Sequence, residues 1–296
     1  MTLRGHADDV VCVCWAPCGT KLVSSSRDGT AKVWDALTGK PLMSLDGHSG
    51  TIWGVAWSPD GRSIATAGYD GTAKIWRADS GVEEFVLKGH DSWISSVAWS
   101  SDSRRLMTAS GDRTARIWDA ETGLRQMTFV GHSNYLRSCA FSPDGRRAVT
   151  AGNDSTCVVW DAFTGTTIHK LNAHAHYVYS ASFSPDGLRV VTASRDRKTR
   201  VFDALSGDVQ LTLQARSSYV YCAQFSPDGR RILTSSWDKR ARLWDAETGA
   251  LLTVLHGPEA HTKEINSCAW SPDGLRCATA SWDRTVRIWD VSAGAA

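Results

Sequence analysis

Histidine, hydroxyl and carboxylate side chains recur along this chain at fixed spacings. His6, Ser24 and Asp28 form the first set, and Trp34 follows the Asp. Ser, His and Asp are the residue types of the serine-hydrolase triad, in which the His takes the proton of an attacking hydroxyl and the Asp orients the His. These residues raise the hypothesis of acyl-transfer chemistry.

The repetition of the set argues against catalysis. A hydrolase needs one activated nucleophile beside one oxyanion site, and no nucleophile, base or metal set stands outside the repeats. We therefore interpret the sets as structural and expect no enzyme activity. The other complete sets are His48, Thr66, Asp70, Trp76; His90, Thr108, Asp112, Trp118; His132, Thr150, Asp154, Trp160; and His261, Thr279, Asp283, Trp289.

Two further sets are incomplete, because a Phe replaces the Trp in one and an Arg replaces the His in the other. They are His174, Thr192, Asp196, Phe202 and Arg216, Thr234, Asp238, Trp244. Phe has no N–H to donate, and we expect Arg216 to pair with Asp238 in a different geometry. The sequence predicts that these two units are the less rigid part of the molecule.

The chain contains eight cysteines, and each replaces an ordinary residue of the other repeats. We expect free, mostly packed thiols rather than a disulfide framework. Cys12, Cys14 and Cys18 lie close together without a second Cys/His pair at zinc spacing, and His174 and His176 have no further ligands nearby. We expect no metal and no cofactor.

Short strands are the elements that must position these residues. A Trp-Asp pair or close variant recurs at steps of 42 residues, with a last step of 45. Each unit has four apolar segments separated by turn residues such as Ser58-Pro59-Asp60-Gly61. No segment shows a sustained 3.6-residue period, so helices should be nearly absent. The sequence predicts an all-β chain of seven stacked units.

The repeats resemble the WD40 family over the whole chain. Gly-His opens the units at Gly5, Gly47, Gly89 and Gly131, and the Trp follows 28 residues after the His. The resemblance implies a seven-bladed β-propeller of four-stranded antiparallel blades around a channel, in one domain over residues 1–296. It also implies that each His, Ser or Thr, Asp and Trp form a hydrogen-bonded tetrad.

The two ends of the chain complement each other. The last unit has no apolar segment after Trp289-Asp290, whereas Met1 to His6 matches Phe85 to His90, which leads into the third unit. We expect the N-terminal strand to complete the last blade.

By the same resemblance, three positions per blade lie at the rim of the channel. Two of them precede the aromatic residue that ends the first strand, by six and four residues, and the third precedes the turn Asp. All six Tyr and the four Trp outside the repeated framework occupy these positions. Tyr, Trp and Arg are typical of protein-binding hot spots. We predict a protein-binding face made of Trp53, Tyr69, Trp93, Tyr135, Arg137, Tyr177, Tyr179, Arg195, Tyr219, Tyr221, Trp237 and Trp282.

The charge and hydropathy of the chain indicate which classes of partner it is expected to bind. Lys and Arg number 33 against 31 Asp and Glu, which disfavours nucleic acid or a membrane as the main partner. The sequence shows no apolar run of membrane-spanning length and no secretory signal. We expect a monomeric, cytoplasmic propeller within a larger complex, with nuclear or cytoskeletal association left open.

The predicted function is a non-catalytic scaffold or adaptor that binds a peptide or domain of a multisubunit assembly, including acidic segments. Two alternatives stay open. One is a reader of methyl-lysine or arginine-containing peptides such as histone tails, held by cation–π attraction to rim aromatics. The other is a component of a ciliary or cytoskeletal complex. The three extra residues around Gly257-Pro258-Glu259 are either a specificity element or a tolerated surface insertion.

Overall fold

The computed structural model describes residues 1–172, 174–214, 218–257 and 260–292. Arg216, Pro258 and Glu259, which the sequence pattern singled out, lie outside these residues. Within the described ranges the chain forms β-strands and no α-helix. No helix in these ranges is long and apolar enough to cross a membrane.

The strands come in sets of four along the chain, preceded by β1, Thr2–Arg4. Blade one contains β2 Val10–Trp15, β3 Lys21–Ser26, β4 Thr30–Asp35 and β5 Pro41–Asp46. Blade two contains β6 Ile52–Trp57, β7 Ser63–Gly68, β8 Ala73–Arg77 and β9 Glu83–Leu87. Blade three contains β10 Ile94–Trp99, β11 Arg105–Ser110, β12 Thr114–Asp119 and β13 Arg125–Val130.

Blade four contains β14 Leu136–Phe141, β15 Arg147–Gly152, β16 Cys157–Asp161 and β17 Thr167–Leu171. Blade five contains β18 Val178–Phe183, β19 Arg189–Ser194, β20 Lys198–Asp203 and β21 Val209–Gln214. Blade six contains β22 Val220–Phe225, β23 Arg231–Ser236, β24 Ala241–Asp245 and β25 Leu251–Leu255. Blade seven contains β26 Ile265–Trp270, β27 Arg276–Ser281 and β28 Thr285–Asp290.

Each blade is a four-stranded antiparallel meander, and β1 supplies the fourth strand of blade seven in the order β1-β28-β27-β26. Leu3 faces Val286 in this pairing and is 1% exposed. The N-terminal amine of Met1 donates to the Ile288 carbonyl at 2.9 Å, and the Ile288 N–H donates to the Met1 carbonyl at 2.9 Å. The seven-bladed propeller and its closure by the N-terminal strand are therefore confirmed.

The hydrophobic core lies between blades rather than within them. Val23 and Leu45 of blade one pack in one cluster with Ile52, Val55 and Trp76 of blade two. The second strand of each blade is buried at nearly every position, as in β3 and β7, because neighbouring blades cover both of its faces. A single blade has too little apolar contact to fold alone, so stacking and closure stabilise the whole ring.

Stacked arginines join neighbouring blades at the end of the propeller where the first strand of each blade terminates. Each begins the second strand of its blade, lies over the aromatic residue that ends the next blade's first strand, and donates Nη2 to a glycine carbonyl of that blade. The distances to the ring centroids are 4.8–5.4 Å, and the hydrogen bonds are 2.6–3.0 Å. The residues are Arg105, Arg147, Arg189, Arg231 and Arg276. Lys21 and Ser63 hold the equivalent positions in blades one and two.

Replacing one of these arginines should loosen a blade interface. Arg231 lies 4.8 Å from the Trp270 ring and donates to the Gly274 and Val291 carbonyls at 2.8 and 3.1 Å. We expect Arg231→Ala to lower the free energy of unfolding by about 2 kcal/mol, measured by denaturant unfolding. The neighbouring Arg230 is exposed, and Arg230→Ala is the matched control. Equal effects of the two substitutions would contradict the role of the stacked arginine.

Candidate protein-binding site

Each complete set of His, hydroxyl, Asp and Trp forms one buried chain of hydrogen bonds. His6 Nδ1 lies 2.9 Å from an Asp28 carboxylate oxygen, and His6 Nε2 lies 2.8 Å from Ser24 Oγ. The Trp34 indole N–H donates to the same Oγ at 2.8 Å. The four other complete sets have corresponding distances of 2.6–2.9 Å.

This connectivity is that of a serine-hydrolase triad, but the hydroxyls are out of reach of a substrate. Ser24, Thr66, Thr108, Thr150 and Thr279 are all 0% exposed. Each hydroxyl oxygen also accepts the hydrogen bond of the buried indole. A nucleophile needs an open approach and a free lone pair, so these hydroxyls act as structural groups.

The two incomplete sets use arginines of the third strand. In blade five, His174 contacts Asp196 at 2.9 Å, and Arg200 Nη1 donates to the same carboxylate at 2.9 Å. In blade six, Asp238 accepts two hydrogen bonds from Arg242, at 3.2 and 2.5 Å. Arg242 thus binds Asp238 as a fork, and the expected pairing of Arg216 with Asp238 lies outside the described residues.

The buried sets shift the titration of their members. Burial acts to raise the pKa of Asp154, but the hydrogen bond and charge of His132, with bonds from Thr156 and Ser133, lower it to about 2. Burial lowers the pKa of His48, His174 and His261, and the facing Asp only partly opposes this effect. The lowered pKa of Asp154 favours the ionised carboxylate, and the lowered pKa of His48, His174 and His261 favours the neutral imidazole.

In blades one to five and seven, the Asp of the set ties together the two loops that form the rim. Asp28 accepts from the backbone N–H of Ala7, in the loop before β2, and from that of Thr30, after the β3–β4 turn. In addition, the third rim residue donates its backbone N–H to the carbonyl of the first in every blade. Arg27 bonds Asp9 at 2.9 Å and Trp237 bonds Tyr219 at 3.0 Å, and the other five pairs measure 2.8–3.0 Å.

The second rim residue is a β-bulge in all seven blades. The pairing of the first two strands shifts register around Val11, Trp53, Ser95, Arg137, Tyr179, Tyr221 and Asn266. A bulge re-aims the side chain of the extra residue. These seven side chains line the channel, which has a volume of about 670 Å³.

Five rim aromatics form a connected group that we call the central aromatic cluster: Tyr179, Tyr219, Tyr221, Trp237 and Trp282. Tyr221 lies 4.8 Å from Tyr179, 6.0 Å from Trp237 and 6.2 Å from Trp282 between ring centroids. Trp237 also contacts Trp282 at 5.5 Å and Tyr219 at 5.8 Å. Trp237 is 40% exposed, so the cluster offers a ring surface to a partner.

A second group spans blades two to four. Trp93 contacts Trp53 at 6.2 Å and Tyr135 at 5.8 Å. Arg27 bridges the two groups, because its guanidinium lies 4.9 Å from the Trp282 ring and 6.0 Å from the Trp53 ring. Tyr69 is 60% exposed and makes no ring contact with the described residues, so it stands apart from both groups.

The remaining rim residues of blade five form a stack. The Arg195 guanidinium lies 5.4 Å from the Tyr177 ring and 5.0 Å from the Tyr219 ring. Tyr177 also contacts the His176 ring at 4.3 Å. Arg195 therefore occupies the space between two neighbouring tyrosines.

Basic residues surround the rim on its exposed side. Arg113, Arg197, Lys239 and Arg284 follow the turn Asp of their blades, are exposed, and have φ between 68° and 71°. Gly29 and Gly71 hold the same position in blades one and two. A left-handed φ costs a non-glycine residue about 1 kcal/mol. These four basic residues therefore occupy a turn position at which glycine would be without strain.

Among the described residues, the cysteine and acidic side chains form no disulfide or metal site. All eight cysteines are free thiols, and five of them are buried. No three His, Cys, Asp or Glu side chains in the described ranges converge in a way that could hold a metal ion.

Comparison with known proteins agrees with the repeat architecture. The model of the WD40 family (WD domain, G-beta repeat) matches residues 1–35, 39–77, 81–119, 123–161, 165–203, 207–245 and 250–290. The Notchless protein homolog of Arabidopsis thaliana is 44% identical over 43 residues, which are 14% of this chain and 9% of that protein.

Two further relatives share a segment of similar length. One subunit of the chromatin assembly factor 1 of Gallus gallus is 43% identical over 44 residues, 15% of this chain and 8% of that protein. The corresponding protein of Mus musculus is 44% identical over 41 residues, 14% of this chain and 7% of its own length. The similarity thus covers less than a tenth of each of the three relatives and is about one repeat long.

Matched substitutions can isolate how much the hydrogen bond from the Trp indole to the buried hydroxyl contributes to the free energy of unfolding. Thr150→Val in blade four and Thr192→Val in blade five each remove a fully buried hydroxyl that faces a His. Only the first also leaves a buried indole, that of Trp160, without its acceptor. We expect Thr150→Val to cost about 1 kcal/mol more in denaturant unfolding. Equal losses would show that the indole bond contributes nothing.

Stability should fall as the pH drops below about 6.5, the ordinary pKa of His. The lowered pKa of buried His48, His174 and His261 means that the unfolded chain takes up these protons first, so acid favours unfolding. We expect the melting temperature to decrease between pH 7.5 and 5.5, before carboxylates titrate. The exposed His256 supplies the control His256→Gln, which should keep the same slope. A flat or rising melting temperature would contradict this account.

Proposed function

Because this chain belongs to the WD40 family, whose propellers generally bind other proteins and are typically non-catalytic, we propose that it is a protein-interaction scaffold. Its docking surface is the rim of blades five to seven. The observation that carries this proposal is the central aromatic cluster, in which five tyrosine and tryptophan rings contact one another at the channel mouth.

The way the cluster is held supports a binding role. Tyr179 and Tyr221 are bulge residues. Tyr219, Trp237 and Trp282 take part in, or lie at, the backbone hydrogen bonds that join the two rim loops of their blades. Aromatic side chains in fixed positions lose little conformational freedom on binding, so less of the interaction energy is spent on ordering. Large, half-buried rings surrounded by polar groups are also typical of hot spots.

Charge supports a partner with acidic character. The exposed Arg197, Lys239 and Arg284 border the cluster, and Lys263 lies in the loop that enters blade seven. These four cations outnumber Glu264, the one carboxylate at a rim position of blades five to seven in the described residues. An excess of positive charge around an apolar centre increases the rate of encounter with a negatively charged partner. We infer that the bound segment combines aromatic or aliphatic side chains with Asp or Glu.

The geometry does not favour a methyl-lysine reader. A methylammonium cage needs several rings around an empty space, and the gap between Tyr177 and Tyr219 holds the protein's own Arg195. The rings around Tyr221 contact one another, with 4.8–6.2 Å between centroids, rather than standing apart around a common point as the walls of a cation cage do. The chromatin assembly factor subunits are similar to this chain over about one repeat. Chromatin assembly is named for those relatives and does not by itself support a histone-tail reader here.

A cytoplasmic location and a place in a ciliary or cytoskeletal complex stay predictions, as does a monomeric state.

Affinity capture tests the docking surface. The variant carries Tyr179→Ala, Tyr221→Ala and Trp237→Ala, and the matched control carries Leu37→Ala, Leu124→Ala and Leu205→Ala, three leucines that are 65–73% exposed in turns at the opposite end. Both are compared with the wild type in native extract by quantitative mass spectrometry. We expect at least one specifically captured protein to fall tenfold or more with the rim variant, because hot-spot truncations each cost about 2 kcal/mol.

Circular dichroism and thermal melting verify that both variants are folded. If the captured proteins are unchanged by the rim variant and lost with the leucine variant, the partner binds the opposite end. That result would overturn the proposed surface.

A further inference from the structure

Arg137 is a rim residue whose charge has no carboxylate partner among the described residues. It is the bulge residue of β14 and lies half-buried in the wall of the channel. Its Nε donates to Asn153 Oδ1 at 2.9 Å, and its guanidinium lies 5.2 Å from the Trp93 ring centroid. These contacts hold the side chain in place, and neither Nη group donates to an acceptor in the described part of the rim.

The other channel arginine differs in this respect. Arg27 lines the same cavity but pairs with Asp9 at 3.1 Å. The only other carboxylate at a rim position is that of Glu264, which lies close enough to Tyr221 to help raise the pKa of its phenol, although burial is the larger cause. Among the described residues that line this cavity, Arg137 is therefore the cation without a carboxylate partner. Arg195 also pairs with no carboxylate in the described part of the rim, but it lies outside the cavity wall, stacked between Tyr177 and Tyr219.

The surroundings of Arg137 suit an anion. The phenols of Tyr177, Tyr179 and Tyr221 are near enough to interact with its charge. Burial acts to lower the pKa of Arg137, but a guanidinium stays protonated in proteins. A half-buried charge with no counter-charge is costly, and a bidentate carboxylate is the partner that best fits the fork of the guanidinium. The buried Nε1 of Trp53, beside Trp93, also finds no acceptor within the described ranges, so this wall has a surplus of donors.

We propose that Arg137 forms an anion site inside the channel mouth, which takes the carboxylate of one Asp or Glu side chain of a partner segment. This inference rests on the proposed function, because the segment must first dock on the central aromatic cluster. The cluster reaches into the same cavity through Tyr179, Tyr221 and Trp282. A segment that places an apolar side chain on these rings therefore brings a neighbouring acidic side chain to Arg137.

A displayed library of random peptides, fused at both ends so that no terminal carboxylate is present, tests this specificity. It is selected against wild type, Arg137→Gln and Arg104→Gln, the last being an exposed arginine at the opposite end. We expect peptides selected on wild type and on Arg104→Gln to share an Asp or Glu next to an aromatic or aliphatic residue. Selection on Arg137→Gln should keep the apolar position and lose the acidic one.

A double-mutant cycle on one selected peptide measures the contact. Replacing its acidic residue by the amide should weaken binding to wild type about tenfold, as should Arg137→Gln with the acidic peptide. Both changes together should weaken binding little more than either alone, and Arg137→Lys should restore part of the loss. Thermal melting verifies that the Arg137 variants are folded.

The outcomes separate the two proposals. If peptides depend on Tyr221 and Trp237 but show no acidic position, or the same acidic position on Arg137→Gln, the anion site is wrong and the docking surface stands. If the selected peptides bind independently of Tyr221 and Trp237, or none is selected, both proposals fail.

Discussion

In six of the seven blades, a carboxylate with little exposure holds the rim together. This Asp binds a buried His and the backbone N–H of the neighbouring loop, as Asp28 does, whereas in blade six Asp238 binds Arg242. Two loops that would otherwise move independently become one unit, with the N–H of the third rim residue bonded to the carbonyl of the first. The exposed rings and guanidinium groups of the rim are therefore placed by bonds that lie beneath the surface, and binding does not have to order them.

At the opposite end of the propeller, arginine side chains rather than carboxylates hold neighbouring segments in position. There, arginines stack on the aromatic residue of the next blade and bind its glycine carbonyl. The contact from Arg276 to Gly19 and Trp15 crosses the junction between the last blade and the first. Together with the pairing of Leu3 and Val286, it closes the ring, and closure removes the open stacking face that a linear array would expose. The rim gains its fixed shape from this closure as well as from the buried Asp.

The repeat period was sufficient to predict the fold, because seven aligned units leave few ways to bury their apolar positions. The offsets of His, hydroxyl, Asp and Trp, and the three rim positions, also follow from the alignment of units. Contacts between units do not follow from it. Nothing in the sequence indicated that Arg27 bridges Trp282 and Trp53, or that Arg195 fills the gap between Tyr177 and Tyr219. The pairing of Asp238 with Arg242 was missed because long side chains reach partners that residue spacing does not specify. The stacked arginines had a signal, since they share one offset in five repeats, but their partners lie in the next unit.

Site-specific photo-crosslinking tests most directly whether partners dock on the rim of blades five to seven, as we propose. The photoreactive aromatic amino acid p-benzoylphenylalanine replaces Tyr219, within the central aromatic cluster, or Phe163, which is 64% exposed in a turn at the opposite end. Both proteins are irradiated in native extract, and the crosslinked species are separated and identified. We expect a discrete protein adduct from position 219 and none from position 163. Adducts from position 163 alone would show that the rim is not the working surface.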